Sequence, residues 1–198
     1  MRTASESASP SAKFSEAPAG ATVYIALVAA CAALLHRHTG QQSVVLGSPM
    51  GMREQPELEA MPGPFVSLLM LRIDFSDDPS WRTLLARARD MMLDAHAHRH
   101  VPFEALVERL KPARSLAHAP LFQVALVQHN TPAASAASID SGGAMHELTW
   151  FLREAGGRLE GAIEYRSDLY SRAAVQRLAS QLEALLAAAR PRRATARR

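Results

Sequence analysis

The chain has 198 residues, 48% of them hydrophobic and 21% charged, enough apolar material for one sizeable domain or one lobe of a larger one, which excludes wholesale disorder. The formal charge is +3, but five of the last nine residues are arginine (Arg190, Arg192, Arg193, Arg197, Arg198), and removing those five charges leaves the rest at −2. The basic character therefore belongs to a solvated end, residues 191–198, and argues against a folded nucleic-acid-binding surface.

Residues 1–17 are rich in Ser and Ala and read as a flexible leader. The apolar run Ala21 to Leu35 is shorter than the roughly 20 residues of a membrane span and predicts a buried core helix, about Thr22 to His38, stopped by Gly40. Val44, Val45 and Leu46 predict a short strand ending at Gly47, followed by a Pro/Gly-rich loop from Ser48 to Pro64. Phe65 to Phe75 is nearly all apolar, the pattern of a strand buried on both faces. Asp77 or Asp78 can cap the next helix, with Pro79 in its first turn. Trp81, Leu84, Leu85, Ala88, Met91, Met92 and Ala95 give that helix one buried stripe. Pro102 ends it, and a shorter helix follows from Phe103 to Leu110.

Phe122 to Val127 predicts a central strand, and residues 131–145 an Ala/Ser/Gly-rich loop. Glu147 to Arg153 and Leu159 to Arg166 predict a hairpin turning at Gly156-Gly157. A last helix starts near Ser171, with Val175, Leu178, Leu182 and Leu185 as its apolar stripe. This order predicts an α/β, two-layer sandwich with a mixed β-sheet.

Among eight histidines, the densest group is His96, His98 and His100. On a helix His96 and His100 would share a face, as in some zinc sites, but no second pair of ligands matches them, and a solvated helix end is the better reading. No Gly-x-Ser-x-Gly elbow and no phosphate-binding glycine loop occurs. The lone cysteine, Cys31, excludes an internal disulfide and fits a reducing cytoplasm; inside an apolar helix it reads as inert packing.

Four segments carry a family resemblance together that none carries alone. Gly47-Ser48-Pro49-Met50-Gly51-Met52-Arg53 resembles a G-x-P-x-x-x-R loop, and Gly63-Pro64-Phe65-Val66-Ser67-Leu68-Leu69-Met70-Leu71-Arg72 resembles G-x-F-V-N-T-x-x-x-R. His98-Arg99-His100-Val101-Pro102-Phe103-Glu104 is similar to H-Q-D-x-P-F-E, and Arg114-Ser115-Leu116-Ala117-His118-Ala119-Pro120-Leu121-Phe122-Gln123 to R-D-x-S-R-N-P-L-F-Q. In this order and spacing they resemble the second half of a condensation domain of nonribosomal peptide synthetases, over roughly residues 18–190. The resemblance implies one lobe of a chloramphenicol-acetyltransferase-like fold. It implies carrier proteins as partners, which bring their own phosphopantetheine arms, with no cofactor bound by the lobe itself. It implies that the residues lining or shaping the tunnel are Gly47, Arg53, Gly63, Phe65, Ser67, Arg72, Pro102, Phe103, Glu104, Arg114 and Pro120, with Ser67 first among them.

The sequence departs from that family at the chemistry. The catalytic H-H-x-x-x-D-G motif belongs to the first lobe; here no histidine has an aspartate four residues on, and no Asp-Gly pair occurs. Without that imidazole, no general base or positioning group faces the attacking amine. Ser67 also stands where the family has asparagine, and a hydroxyl cannot bridge two partners as an amide does. Several matched residues have a structural reading too. Pro102 and Phe103 suit breaking and anchoring a helix, Arg72 can pair with Asp74 or Glu104, Arg114 can cap a helix, and Gly47 and Gly63 suit turns. The expectation is a condensation-domain half that is inactive alone and joins amides only beside an N-terminal lobe or other synthetase modules. The competing expectation is a non-catalytic module that docks carrier proteins or other synthetase domains. Neither needs nucleic acid or membrane.

Overall fold

A computed structural model describes residues 3–6, 21–53, 55–113, 115, 118–129, 144–155 and 158–189. Its centre is helix α1, Val23–Thr39. The Thr22 hydroxyl accepts from the Ile25 N–H (3.2 Å) at its start, and the Gly40 N–H returns to the His36 carbonyl (2.8 Å) at its end. Ile25 to Ala32 and Leu34 are all buried. A helix apolar all round must be covered all round, and its alanines let neighbours approach closely.

The neighbours are helices α3 (Trp81–Ala97) and α5 (Arg172–Ala188) on its flanks and a six-stranded sheet beneath. The strands are β1 (Thr3–Glu6), β2 (Ser43–Gly51), β3 (Val66–Asp74), β4 (Val124–His129), β5 (Leu148–Ala155) and β6 (Arg158–Arg166), in the spatial order β1-β6-β5-β4-β2-β3. β4 runs parallel to β2 and β5, and the other pairs are antiparallel, so the sheet is mixed. Two short helices lie outside these layers: α2 (Pro56–Glu59) and α4 (Phe103–Leu110).

Register explains which residues form the core. Val44 pairs with Ile73, Leu46 with Leu71, Leu126 with Trp150, Trp150 with Ile163, and Leu148 with Tyr165. All of these are buried and face the helices; the intervening residues turn to the other face, where Val45, Met70, Val127, Phe151 and Ala162 stay half-buried.

Several expectations are corrected. Thr3–Glu6, within the stretch read as a leader, pairs with Ile163 to Arg166 as β1. β2 does not stop at Gly47 but continues through Pro49 to Gly51, because pairing with β3 carries the backbone past residues that locally read as breakers. β3 is an edge strand buried on one face only: Leu69, Leu71 and Ile73 are inside, while Val66 is 61% exposed. The cap of α3 is Ser80, whose hydroxyl accepts from the Thr83 N–H (3.2 Å), not Asp77 or Asp78. Asp77 is held by Arg87 (2.6 Å), and Asp78 turns the chain at φ 48°. β4 begins two residues after Phe122. The buried stripe of α5 is Val175, Ala179, Leu182 and Leu186. The paired ends Ala155 and Arg158 close the expected β5–β6 hairpin. Its Gly156-Gly157 turn, residues 131–143 of the loop, Arg114 and the arginine-rich end lie outside the described residues. Among the described residues no helix is long and apolar enough to cross a membrane.

Leu126 is fully buried between β2 and β5 under α1. Leu126→Ala is expected to cost about 2–5 kcal/mol, read as a lower denaturant midpoint with an unchanged slope. Cys31 is equally buried, and burial pushes its thiol far above the ordinary range. A thiol reagent should therefore label the native chain orders of magnitude more slowly than the denatured chain, and fast native labelling would contradict this packing.

Candidate functional site

The matched residues fall into two clusters and two separate contacts. In the first cluster the Arg53 guanidinium donates to the carbonyls of Leu58, Met61 (2.7 Å) and Gly63 (3.0 Å). It also lies over the Phe65 ring, 4.5 Å from its centroid. A planar fork of five donors suits three carbonyls converging from one loop, and the ring adds a cation–π contact. Gly63 has φ 147°, a conformation side chains rarely adopt. Arg53, Gly63 and Phe65 thus fix the shape of the β2–β3 connection.

The second cluster surrounds Phe122. Pro120 and Leu121 turn the chain tightly: the Phe122 N–H donates to the Pro120 carbonyl (2.9 Å) around Leu121 at φ 70°. A non-glycine residue is strained there, by about 1–3 kcal/mol, and persists only where its surroundings dictate the turn. Here the turn drives the Phe122 ring onto Gly47. A Cβ at position 47 would lie 2.1 Å from a ring carbon, so only glycine admits the ring. Phe103 meets the same ring edge-on (5.8 Å, 73°), and His146 lies against it at 5.1 Å. Burial holds the His146 imidazole below its ordinary range, with Glu164 opposing. Pro102 begins α4 in extended conformation, its carbonyl accepting from Ala105 (3.1 Å) and Leu106 (3.3 Å). Glu104 sits exposed in the first turn of α4, where helix polarity favours a carboxylate.

Between α4 and the segment leading to Pro120 opens a cleft of about 1030 Å³. Phe103, Glu104, Val107, Glu108, His118 and Pro120 are among its lining residues. The apolar residues of α4 are nowhere fully buried, and Leu110 is 57% exposed.

Ser67 and Arg72 belong to neither cluster. The Ser67 hydroxyl donates to the Arg99 carbonyl (2.7 Å), tying β3 to the turn after α3. Its one proton is spent on the backbone rather than offered to a cleft. Arg72 donates through Nε to the Ser43 hydroxyl (2.7 Å), not to Asp74 or Glu104. The Ser76 hydroxyl and N–H already engage the Asp74 carboxylate and hold it below its usual range. Helix α3 ends at Ala97, before His100, so His96 and His100 share no helical face, and the His98 ring bonds the Asp94 carbonyl (2.9 Å). Among the described residues no group of three or more His, Cys, Asp or Glu is placed to hold a metal ion.

Reading the sequence missed three participants. Phe122 lies inside a motif segment, but its partner Gly47 lies 75 residues away, and nothing local announces the contact. Tyr24 bonds the buried Ser48 hydroxyl, and burial pushes its phenol up to about 12. Glu147, buried just before β5, faces the His118 imidazole at 3.5 Å. The geometry shapes apolar space; among the described residues it sets no nucleophile beside a base.

One half-fold with a mixed sheet, three helices on one face and a motif-lined cleft is the architecture of a condensation-domain lobe. The family model for the condensation domain matches residues 11–193, and the chain belongs to that family. It is 40% identical over 182 residues to phosphinothricin tripeptide synthetase PhsB of Streptomyces viridochromogenes, covering 86% of this chain and 15% of that protein. It is also 40% identical over 183 residues to a dimodular nonribosomal peptide synthase of Bacillus subtilis, covering 85% of this chain and 8% of that protein. It thus spans only a small part of these relatives. Among solved structures, a chain in the complex of the X-domain and OxyB from teicoplanin biosynthesis superposes with TM-score 0.81 and 29% identity, over 93% of this chain and 45% of that one.

Gly47→Ala is expected to cost about 1–3 kcal/mol by overpacking against Phe122. Combining it with Phe122→Leu should cost less than the two single losses added, because the smaller side chain leaves room for the Cβ. Additive losses in denaturant titrations would show that ring and glycine do not meet.

Proposed function

We propose that this chain works as the second lobe of a nonribosomal peptide synthetase condensation domain. In this reading it walls the chamber in which carrier-tethered acyl and aminoacyl groups are joined. The observation that carries the reading is the condensation-family match over residues 11–193, in which all four motif segments fall. The reaction forms an amide C–N bond as the donor's thioester C–S bond breaks; the amine gives up a proton and the departing thiolate takes one. Phosphopantetheine arms on the carrier proteins bring both groups, and this lobe binds no cofactor of its own. The lobe contributes apolar enclosure through Phe103, Val107 and Pro120 and a rigid corner at Phe122, which help align the reactants and keep water out. No histidine in the chain has the spacing of the H-H-x-x-x-D-G motif, so general-base help comes from an N-terminal lobe supplied by another segment or chain. Residues 18–190 make up the body of the lobe, with strand β1 (Thr3–Glu6) added to the edge of its sheet, and a reducing cytoplasm suits its lone buried thiol.

The similarity to an X-domain solved with OxyB, together with the exposed apolar side of α4, favours a second reading: a module that docks carrier proteins or other synthetase domains without catalysis.

The deciding experiment mixes this chain with a first lobe of the family and two loaded carrier proteins, and follows amide product by intact-protein mass spectrometry. The proposal expects product only when both lobes are present. Product from this chain alone, lost on His146→Ala, would overturn it; no product with both lobes, but measurable carrier affinity, would favour the docking reading.

A further inference from the structure

The residues lining the cleft beside α4 are all half-buried or exposed, so the cleft opens to solvent. Its lining divides into an apolar part and a charged rim. Phe103 and Val107 lie one turn apart on α4 and line the cleft together with Pro112 and Pro120. A solvent-facing apolar groove of this kind marks a surface that another group covers.

The rim says what chemistry that group carries. Glu104 and Glu108 each follow one of the apolar pair, so they run along one flank of the same stretch of helix. Both are exposed, and neither has an ion pair or a hydrogen bond among the described residues, Lys111 at the same rim included. Local helix physics does not favour the arrangement. Like charges four residues apart repel, and Glu108 lies in the last turn, where helix polarity disfavours a carboxylate. A cation brought to this flank would relieve both.

Two occupants fit poorly. A second copy offering its own α4 would set the same carboxylates against each other. The chain's own arginine-rich end is basic, but residues 190–198 include no leucine, isoleucine, valine, methionine or aromatic residue to fill an apolar groove.

We propose, resting on the reading above that another synthetase segment lies against this lobe, that the α4 cleft is covered by a basic amphipathic helix of that segment. Its aliphatic stripe enters between Phe103, Val107 and the proline-bearing wall, and its lysines or arginines lie along Glu104 and Glu108. A helix with side chains is about 10–12 Å across, so a cleft of about 1030 Å³ admits its stripe rather than its body. This is recognition of a helix in a groove, with apolar contact for affinity and flanking charge for the choice of partner.

Two synthetic helical peptides of about 18 residues test it on the full chain by fluorescence anisotropy. Both carry one leucine stripe; one is flanked by lysine and the other by glutamate. The chain's formal charge of +3 would by itself favour the glutamate peptide, so a lysine preference reports a local site. The lysine peptide should bind about ten-fold tighter, the scale of two exposed ion pairs. Glu104→Gln combined with Glu108→Gln should reduce that preference to within about two-fold, whereas Glu57→Gln, at an exposed position on α2, should leave it intact. Val107→Asp should weaken both peptides about ten-fold by placing a charge in the apolar lining. Equal binding of the two peptides, or a lysine preference that survives the double glutamine change, would overturn the proposal, and the glutamine comparison stands even if Val107→Asp fails to fold. Amide product from the two lobes with no lysine preference would overturn the helix and leave the chamber standing. A lysine preference that depends on Glu104 and Glu108, with no amide product, would support the helix and count against the chamber.

Discussion

The wall of the cleft depends on one close approach, an aromatic ring laid on a glycine. Phe122 reaches Gly47 only because Leu121 accepts a left-handed backbone, and Leu121 stays there only because Phe122 is buried, 2% exposed, among Gly47, Phe103 and His146. Strain and packing fix each other. Because Phe103 is the first residue of α4, the same ring sets where that helix starts and hence where the cleft opens. Three of the four matched segments, those holding Gly47, Phe103 and Phe122, therefore meet at a single side chain.

Stability resides on the opposite side of the sheet. There α1 is enclosed by α3, α5 and the inward rows of β2 to β6, and the largest fully buried side chains, Trp150, Leu27 and Leu46 among them, all belong to this layer. The remaining matched residues act mainly on backbone: Arg53 gathers three carbonyls, and Ser67 ties a strand to a turn. These are scaffolding roles.

Much of this was legible in the sequence, and the exceptions share a cause. Helices α1, α3, α4 and α5 and the β5–β6 hairpin are written in local signals: apolar periodicity, Thr22, Gly40, Pro102 and Ser171. The motif segments hold the residues gathered around Arg53 and around Phe122. The extension of β2 through Pro49, the one-sided burial of β3 and the pairing of β1 with β6 follow from neighbours distant in sequence, and no local pattern reports a neighbour. The Ser67 hydroxyl donates to the Arg99 carbonyl, a partner 32 residues on that its motif does not announce. Glu147 escaped notice because a carboxylate beside a strand reads as solvated until the fold covers it.

The division between the two faces of the sheet has an evolutionary consequence. Val45, Met70, Val127, Phe151 and Ala162 point away from α1 and stay half-buried, so exchanging one apolar residue for another there alters the contour of the lobe at little thermodynamic penalty. Mutational drift can thus remodel the surface that meets whatever lies opposite while the helical layer continues to specify the fold. A lineage built on this lobe is free to diversify that surface long before it loses the ability to fold.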